Sequence, residues 1–235
     1  MNSLLSLPSV LQLLVVVSSD WNAVDGTLYR FQKSPSGEWE FVAPGFPIVL
    51  GKQGMGWGRG VFDLSHEQGV HKKEGDNKSP AGLFRLGTTF GHECSRACAK
   101  NMPFLLITDE LECVDDPDSV YYNHFVNTYS ISHRDWNSSE KMKDIGPLYE
   151  IGIVVEHNLD PIKAGMGSAI FMHVWRTRGA GTAGCTALEV EHLRDVVEWL
   201  DLHQQPCLIQ LPIHEYLNKR SQWGLPELPS PVEKP

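Results

Sequence analysis

One segment of this 235-residue chain has the clear periodicity of an amphipathic helix, and it lies near the C-terminal end. In residues 187–203, apolar side chains recur at spacings of three and four, and the acidic side chains between them can face water. Elsewhere the apolar residues fall in short runs separated by glycine, proline, serine and aspartate, which is typical of strands joined by turns. The sequence therefore predicts a mainly β fold, a sandwich or mixed sheet, with one principal helix.

The first 50 residues have the pattern of a β-meander. Strands are predicted at residues 11–18, 27–32, 38–42 and 47–50, with Asp25-Gly26 and Ser36-Gly37 as turn residues. Later strands are predicted at residues 83–86, 103–108, 150–156 and 207–211, and a short helix at residues 135–142. We interpret residues 1–212 as one domain that includes the meander. Residues 213–235 are predicted to be a proline-rich tail, either disordered or strapped across the surface.

Charge and hydropathy exclude two kinds of partner. Twenty basic and 29 acidic side chains give a net charge of -9, and the basic residues form no long block, so nucleic acid is not an expected partner. The apolar stretch 4–17 is interrupted and too short for a transmembrane anchor. It is also a poor signal peptide, because no Lys or Arg precedes it and no small-x-small site follows it. We expect a strand there instead, with any export signal removed or never encoded.

The five cysteines cannot all pair, so at least one is free. A zinc site built from His92, Cys94, Cys98 and Cys113 has suitable residue types, but its spacing matches none of the common patterns. A local disulfide or buried thiols are the alternatives. No metal site is predicted.

The strongest chemical signal comes from residues 168–175 (SAIFMHVW) and 181–187 (GTAGCTA). His173 ends an apolar strand, and Cys185 lies on a small-residue turn just before the predicted helix. A helix N-terminus lowers the pKa of a thiol, and a neighbouring histidine can take its proton. The N–H groups near Gly184 and Cys185 could hold an oxyanion. The alternative is a hydrogen-bonded structural histidine and an inert buried cysteine.

These motifs resemble the YkuD-type L,D-transpeptidase family, in which a histidine after an apolar strand is followed by Ser/Thr-x-Gly-Cys. Here His173 is followed by residues 182–185 (TAGC). Upstream, GDNKSPAGLFRLG (75–87) is similar to the Gly-rich turn and Phe-containing strand of that family. ECVDDPDSVYYN (112–123) and DWNSSEKM (135–142) resemble a branch in which GTAGCTA is the cysteine motif. The resemblance runs from about residue 51 to residue 212.

The resemblance implies acyl transfer on peptidoglycan stem peptides, with no metal or organic cofactor. Cys185 would form a thioester and release the terminal D-alanine, His173 would act as general base and acid, and Gly184 would orient the imidazole and line the oxyanion site. An amine or water would then resolve the thioester. The resemblance also implies a periplasmic or extracellular location at the cell wall.

Two positions depart from the common family pattern. Ala183 and Ala187 stand where many members have histidine and arginine. The departures leave open an L,D-carboxypeptidase or a non-catalytic peptidoglycan-binding module, and a general cysteine peptidase or amidase is a further alternative.

A peptide substrate needs hydrogen-bond partners and an aromatic wall. The predicted substrate-binding residues are Thr182, Trp175, Asn123, Tyr122, Trp136, Asn158 and Lys73. For the tryptophans the alternative is a place in the core, and for Lys73 it is a solvated turn.

Overall fold

The computed structural model describes residues 9–229 and contains thirteen strands and two α-helices within them. The strands are β1 (Gln12–Ser18), β2 (Asp25–Lys33), β3 (Trp39–Val49), β4 (Met55–Trp57), β5 (Ser79–Gly91), β6 (Phe104–Leu106), β7 (Leu111–Val114), β8 (Phe125–Asn127), β9 (Ser139–Lys141), β10 (Ile151–Val155), β11 (Phe171–Val174), β12 (Thr186–Leu188) and β13 (Cys207–Pro212). The helices are α1 (Val190–Trp199) and α2 (Ile213–Trp223). The predicted mainly β fold is confirmed.

Ten strands form one mixed sheet that closes on itself. The order is β10-β11-β12-β3-β2-β1-β13-β5-β4, with β6 beside β5, and β10 also pairs with β5. That last pairing closes the strands from β10 to β5 into a ring, with β4 and β6 attached to β5 outside it, and the closure leaves fewer exposed strand edges. A separate sheet has the order β8-β7-β9.

Strand β1 lies in the middle of the large sheet. It pairs in parallel with β13 and antiparallel with β2, and its apolar residues from Leu13 to Val16 are fully buried. A continuous apolar run suits a strand covered on both faces. The strand predicted at residues 11–18 is confirmed. Within residues 9–229, no helix has both the length and the apolar character needed to cross a bilayer.

The two strands predicted at residues 38–42 and 47–50 are one long strand, β3. Pro44 and Pro47 suggest a break in the sequence, but along most of its length β3 has its partner, β2, on one side. On the other side, β12 pairs with Ile48 and Val49. Prolines are tolerated where a strand forms an edge, because no ladder hydrogen bond is lost there. The long strand therefore continues through both prolines.

The principal helix begins later than predicted. Strand β12 lies between Cys185 and α1, which starts at Val190 and buries Leu193, Val196 and Val197. Residues 186–188 are recruited into the sheet because both β11 and β3 pair with them. The prediction that a helix directly follows Cys185 is wrong.

The predicted tail is also partly wrong. Residues 213–223 form α2, and Tyr216 and Trp223 on it are fully or almost fully buried in the main core. These two anchors are seven residues apart, so they lie on one helical face. Few apolar residues mark this helix in the sequence, which is why its periodicity is weak. Residues 230–235 lie outside the described residues.

The small sheet replaces the helix predicted at residues 135–142. Strand β9 pairs antiparallel with β7 and aligns Glu140 with Cys113. The 3-10 helix Met142–Tyr149 then leads into β10. This arrangement carries Glu140 and Tyr149 to the face of the large sheet that holds His173.

Gly152 offers a direct test of the packing in β10. It is the register partner of both His173 and Phe90, and a Cβ there would lie 2.2 Å from the Phe90 ring. Phe90 is fully buried against Phe171 and Tyr149, so it has little room to move. We expect Gly152→Ala to lower the free energy of unfolding by about 3 kcal/mol, measured by urea denaturation. Adding Phe90→Leu should recover part of the loss, and strictly additive losses would contradict the proposed clash.

Candidate active site

The pairing of β11 with β12 brings His173 and Cys185 to one face of the sheet. These strands are parallel, and Met172 is the partner of Thr186. Continuing this register by one residue places Cys185 beside Phe171, whose N–H donates to the Cys185 Sγ over 3.3 Å. Side chains two residues apart share a face, so the Cα atoms of His173 and Cys185 are roughly 8 Å apart on the same side.

The Cys185 thiol is buried, with 8% of the residue exposed. Its Sγ accepts from the N–H of Phe171 and donates to the carbonyl of Ala169 over 3.4 Å. Burial, and secondly the carboxyl of Glu140, raise the pKa of Cys185 to about 12, while the Phe171 N–H and Lys72 act in the opposite direction. The thiol is therefore protonated at rest. The predicted lowering of this pKa is wrong, because the thiol is buried and a strand, not a helix N-terminus, follows Cys185.

The His173 imidazole is neutral and has a defined tautomer. Its Nδ1 lies 2.8 Å from the carbonyl oxygen of Val174. A carbonyl can only accept, so Nδ1 carries the proton and Nε2 keeps a lone pair. Burial lowers the pKa of His173 to about 4. Within residues 9–229, none of the hydrogen bonds joins His173 to Cys185; the ring contacts Tyr149 edge-on, with centroids 5.4 Å apart.

The turn before Cys185 is held by Thr182. Its Oγ1 donates to the carbonyl of Cys185 over 2.6 Å and accepts from the N–H of Gly184 over 3.0 Å. Gly184 has a φ of 150°, a conformation that favours glycine, and a Cβ there would lie 3.0 Å from the carbonyl oxygen of Lys78. The N–H of Gly184 therefore has an acceptor within the turn. Thr182 shapes the turn.

Two predicted substrate-binding residues are buried asparagines with internal partners. The Asn123 side chain donates to the carbonyls of His157 and Asn158 and accepts from the N–H of Ala169. The Asn158 side chain bonds Arg59, Lys163 and Gly167. Both asparagines have positive φ, which asparagine tolerates better than most residues. Their hydrogen bonds fix the backbone near the site.

Tyr122 and Trp136 are buried too. The hydroxyl of Tyr122 donates to Glu74, and the indole N–H of Trp136 donates to Glu112 over 2.9 Å. Trp136 belongs to a small core with Val114 and Val126, separate from the one that contains Cys185. The structure therefore gives both polar atoms a partner inside the protein.

The remaining predicted substrate residues keep solvent-exposed surface. Trp175 is half-buried and lies two residues after His173, and Lys73 is exposed. Of these two, Trp175 is the better placed to contact a bound peptide, since it follows β11 directly.

Sequence reasoning missed a buried lysine beside the cysteine turn. Lys72 is 2% exposed, and its Nζ donates to Asp76 over 2.6 Å and to the carbonyl of Lys73 over 2.7 Å. Its Cε lies 3.7 Å from the position of a Cβ on Gly184. Two adjacent lysines in a charged turn carry no signal that tells which one is buried. Long-range contacts place Lys72, since His71 forms a bridge with Trp57 and the N–H of Lys72 donates to the Trp57 carbonyl.

Two cavities flank the region. One of about 220 Å³ is lined in part by Cys113, Asn123, Phe125 and Phe171, and is mainly apolar in lining. A larger cavity of about 550 Å³ lies between residues 57–65 and 156–166, away from Cys185. Among residues 9–229, no group of three or more His, Cys, Asp or Glu side chains is arranged to hold a metal ion. All five cysteines are free thiols, so the alternative of a local disulfide is contradicted.

The comparison with known families agrees with this architecture. A family model described as the L,D-transpeptidase catalytic domain (YkuD) matches residues 37–209, which cover most of the chain and include both His173 and Cys185. No curated protein and no solved structure matches the chain significantly. On the extent of the family match, this chain belongs to the YkuD family of L,D-transpeptidase catalytic domains.

Proposed function

We propose that this protein catalyses cysteine-dependent acyl transfer on peptidoglycan stem peptides, with Cys185 as nucleophile and His173 as general base and acid. The main support for this proposal is that the register of β11 and β12 puts a thiol and a neutral imidazole on the same face of the sheet. The imidazole has its lone pair on Nε2, which is the state a general base requires. The family match supports the reaction class.

In the first half-reaction, Nε2 of His173 takes the thiol proton as Sγ attacks the carbonyl of the L-centre of a tetrapeptide stem. The tetrahedral intermediate collapses, the C–N bond breaks, and the proton on His173 passes to the leaving amine of D-alanine. A thioester on Cys185 remains. Because the pKa of His173 is low and that of Cys185 is high, transfer of the thiol proton to the imidazole is unfavourable at rest. Substrate binding must therefore bring the two groups into contact before proton transfer.

In the second half-reaction, an amine or water attacks the thioester. We propose an amine, giving L,D-transpeptidation and cell-wall cross-linking, with water and L,D-carboxypeptidase activity as the alternative. Ala187 is fully buried as the register partner of His173, so no long cationic side chain occupies this position to bind a substrate carboxylate. Alanine at position 187 therefore removes an expected contact to a substrate carboxylate, but the nucleophile and the base remain.

A non-catalytic peptidoglycan-binding module is the second candidate. It is favoured by the burial of the thiol and by the engagement of the Gly184 N–H with Thr182. Both candidates place the protein where peptidoglycan is found, in the periplasm or at the cell wall outside the cell.

The proposal is tested with purified muropeptides that carry tetrapeptide stems. We expect mass spectrometry to detect release of D-alanine and, when a stem peptide with a free amine is present, new cross-links. Release without cross-links identifies the carboxypeptidase. Binding to peptidoglycan without either product would favour the binding module, and cleavage of all-L peptides would indicate a general cysteine peptidase.

A further inference from the structure

The small sheet brings a second pair of titratable side chains against the proposed site. Glu140 on β9 and Tyr149 at the end of the 3-10 helix Met142–Tyr149 are joined by a hydrogen bond of 2.5 Å from the tyrosine hydroxyl to the carboxyl. The Tyr149 ring contacts the imidazole of His173 edge-on and packs with Cys185 in one buried cluster. Nothing in the cysteine motif itself points to this pair.

We propose that Glu140 is a positioning residue, which acts through Tyr149 on His173 and through its charge on Cys185, so that the thiol is more reactive when Glu140 is protonated. This inference rests on the proposed function, since it treats Cys185 as the nucleophile. Tyr149 holds the imidazole ring by its edge, and Glu140 anchors the hydroxyl of Tyr149. The ring contact with Tyr149 and the bond from Nδ1 to the Val174 carbonyl together limit rotation of the His173 imidazole.

The charge on Glu140 is the electrostatic part of the proposal. Burial raises the pKa of Glu140 to about 7, with Asp115 and Glu74 adding to the shift and the Tyr149 hydroxyl opposing it. An ionised Glu140 raises the pKa of Cys185 further. Near neutral pH, Glu140 is therefore present in both forms: the ionised carboxylate opposes formation of the Cys185 thiolate, and the protonated carboxyl does not.

Other charged and titratable groups surround Glu140 and Tyr149. Those that face Glu140 from neighbouring elements are Cys113 on β7, Asp115 after it, Glu74 in the turn before β5, Tyr149 and Cys185. Burial raises the pKa values of Cys113 and Tyr149 well above their usual range, so both stay neutral around pH 7. Lys72 is the cation that acts on Cys185, and it is bound to Asp76. Among Glu140, Cys113, Tyr149, His173 and Cys185, whose pKa values burial shifts, the pKa of Glu140 lies closest to neutrality.

The experiment measures the rate at which iodoacetamide alkylates Cys185, followed on the Cys185 peptide by mass spectrometry, from about pH 5.5 to about pH 8. Glu140→Gln keeps an acceptor for Tyr149 but carries no charge. We expect the rate ratio of variant to wild type to be near one at about pH 5.5, where Glu140 is already protonated. At about pH 8 the ratio should rise roughly threefold to tenfold, with a midpoint near the Glu140 pKa of about 7.

Glu112→Gln is the matched control. Glu112 is a buried carboxyl in the same small sheet, but it bonds Trp136 and Ser139 in a different core. Its pH profile should follow the wild type. A Glu140→Gln ratio that is raised equally at all pH values would indicate mere loosening of the fold and would overturn the proposal, as would a ratio near one throughout.

A second variant tests the hydrogen bond that joins Tyr149 to Glu140. Tyr149→Phe keeps the ring against His173 and removes the donor to Glu140, so Glu140 should stay protonated to higher pH and the alkylation profile should shift in the same direction as in Glu140→Gln. An unshifted profile would exclude the route through the tyrosine hydroxyl. Alkylation needs no muropeptide, so these outcomes stand apart from failure of the acyl-transfer proposal, which would appear as a normal alkylation profile without any muropeptide product.

Discussion

Cys185→Ala is expected to reduce D-alanine release from tetrapeptide stems by about a thousandfold or more, because no thioester can form without Sγ. The substitution removes one buried atom whose partners are the N–H of Phe171 and the carbonyl of Ala169. Alanine fits the same space, so the variant should fold. The measurement is the initial rate of D-alanine release at saturating muropeptide, with circular dichroism as the check on folding.

Cys113→Ala is the matched control for this experiment. Cys113 is buried in the same hydrophobic cluster as Cys185, and its removal creates a cavity of similar size. We expect the control to lose some stability and to keep most of its activity. Equal losses in both variants, or persistent release by Cys185→Ala, would contradict the assignment of the nucleophile.

The second large effect concerns stability in mild acid. His157 and His173 are buried, and burial lowers both pKa values to about 4. Between pH 6.5 and 4.5 the unfolded chain takes up protons on these histidines, while the native protein does not. The unfolded state therefore binds more protons, and each histidine should lower the free energy of unfolding by roughly 2 kcal/mol across this window as the pH falls.

Glu140 works in the opposite direction over the same window. Its pKa is raised to about 7, so the native protein holds a proton that the unfolded chain has lost above its usual pKa of 4.5. As the pH falls from 6.5 to 4.5, this penalty decreases and the free energy of unfolding rises by roughly 2 kcal/mol. The three groups together should leave a net loss of about 2 kcal/mol in the wild type between pH 6.5 and 4.5.

Urea denaturation at several pH values checks this balance. Glu140→Gln removes the compensating group, so its loss of stability across the window should be about twice that of the wild type. His157→Gln should be less stable at neutral pH, because the imidazole bonds the backbone of Arg59 and Met166, but its pH dependence should be flatter. Equal slopes in the wild type and both variants would contradict the assigned protonation states.

Much of the fold was accessible from local patterns. The β-branched run at residues 11–18, the strands near residues 104 and 151, and the final core strand are all strands in the structure. Such runs predict strands because side chains that fill a two-faced sheet must be apolar at successive positions. Patterns were weaker where an element has few apolar anchors, as in α2, or few residues, as in β9 and β12.

The candidate site divides in the same way. Local sequence singled out His173 and Cys185, because a histidine after an apolar strand and a cysteine on a glycine turn are short motifs. Local sequence could not show that four of the predicted substrate-binding side chains form hydrogen bonds inside the protein, because most of their partners are distant along the chain. These side chains are Asn123, Asn158, Tyr122 and Trp136.

The sequence by itself determined that the chain is mainly β and which thiol and which imidazole to pair. Only the tertiary structure decided the chemical state of that pair. Residues 186–188 join the sheet through partners on β3 and β11, and this long-range pairing replaces a helix N-terminus with a strand behind Cys185. The small sheet then buries the thiol beside Glu140 and Tyr149, and burial sets its pKa. Register and desolvation depend on contacts between distant segments, so no local motif encodes them.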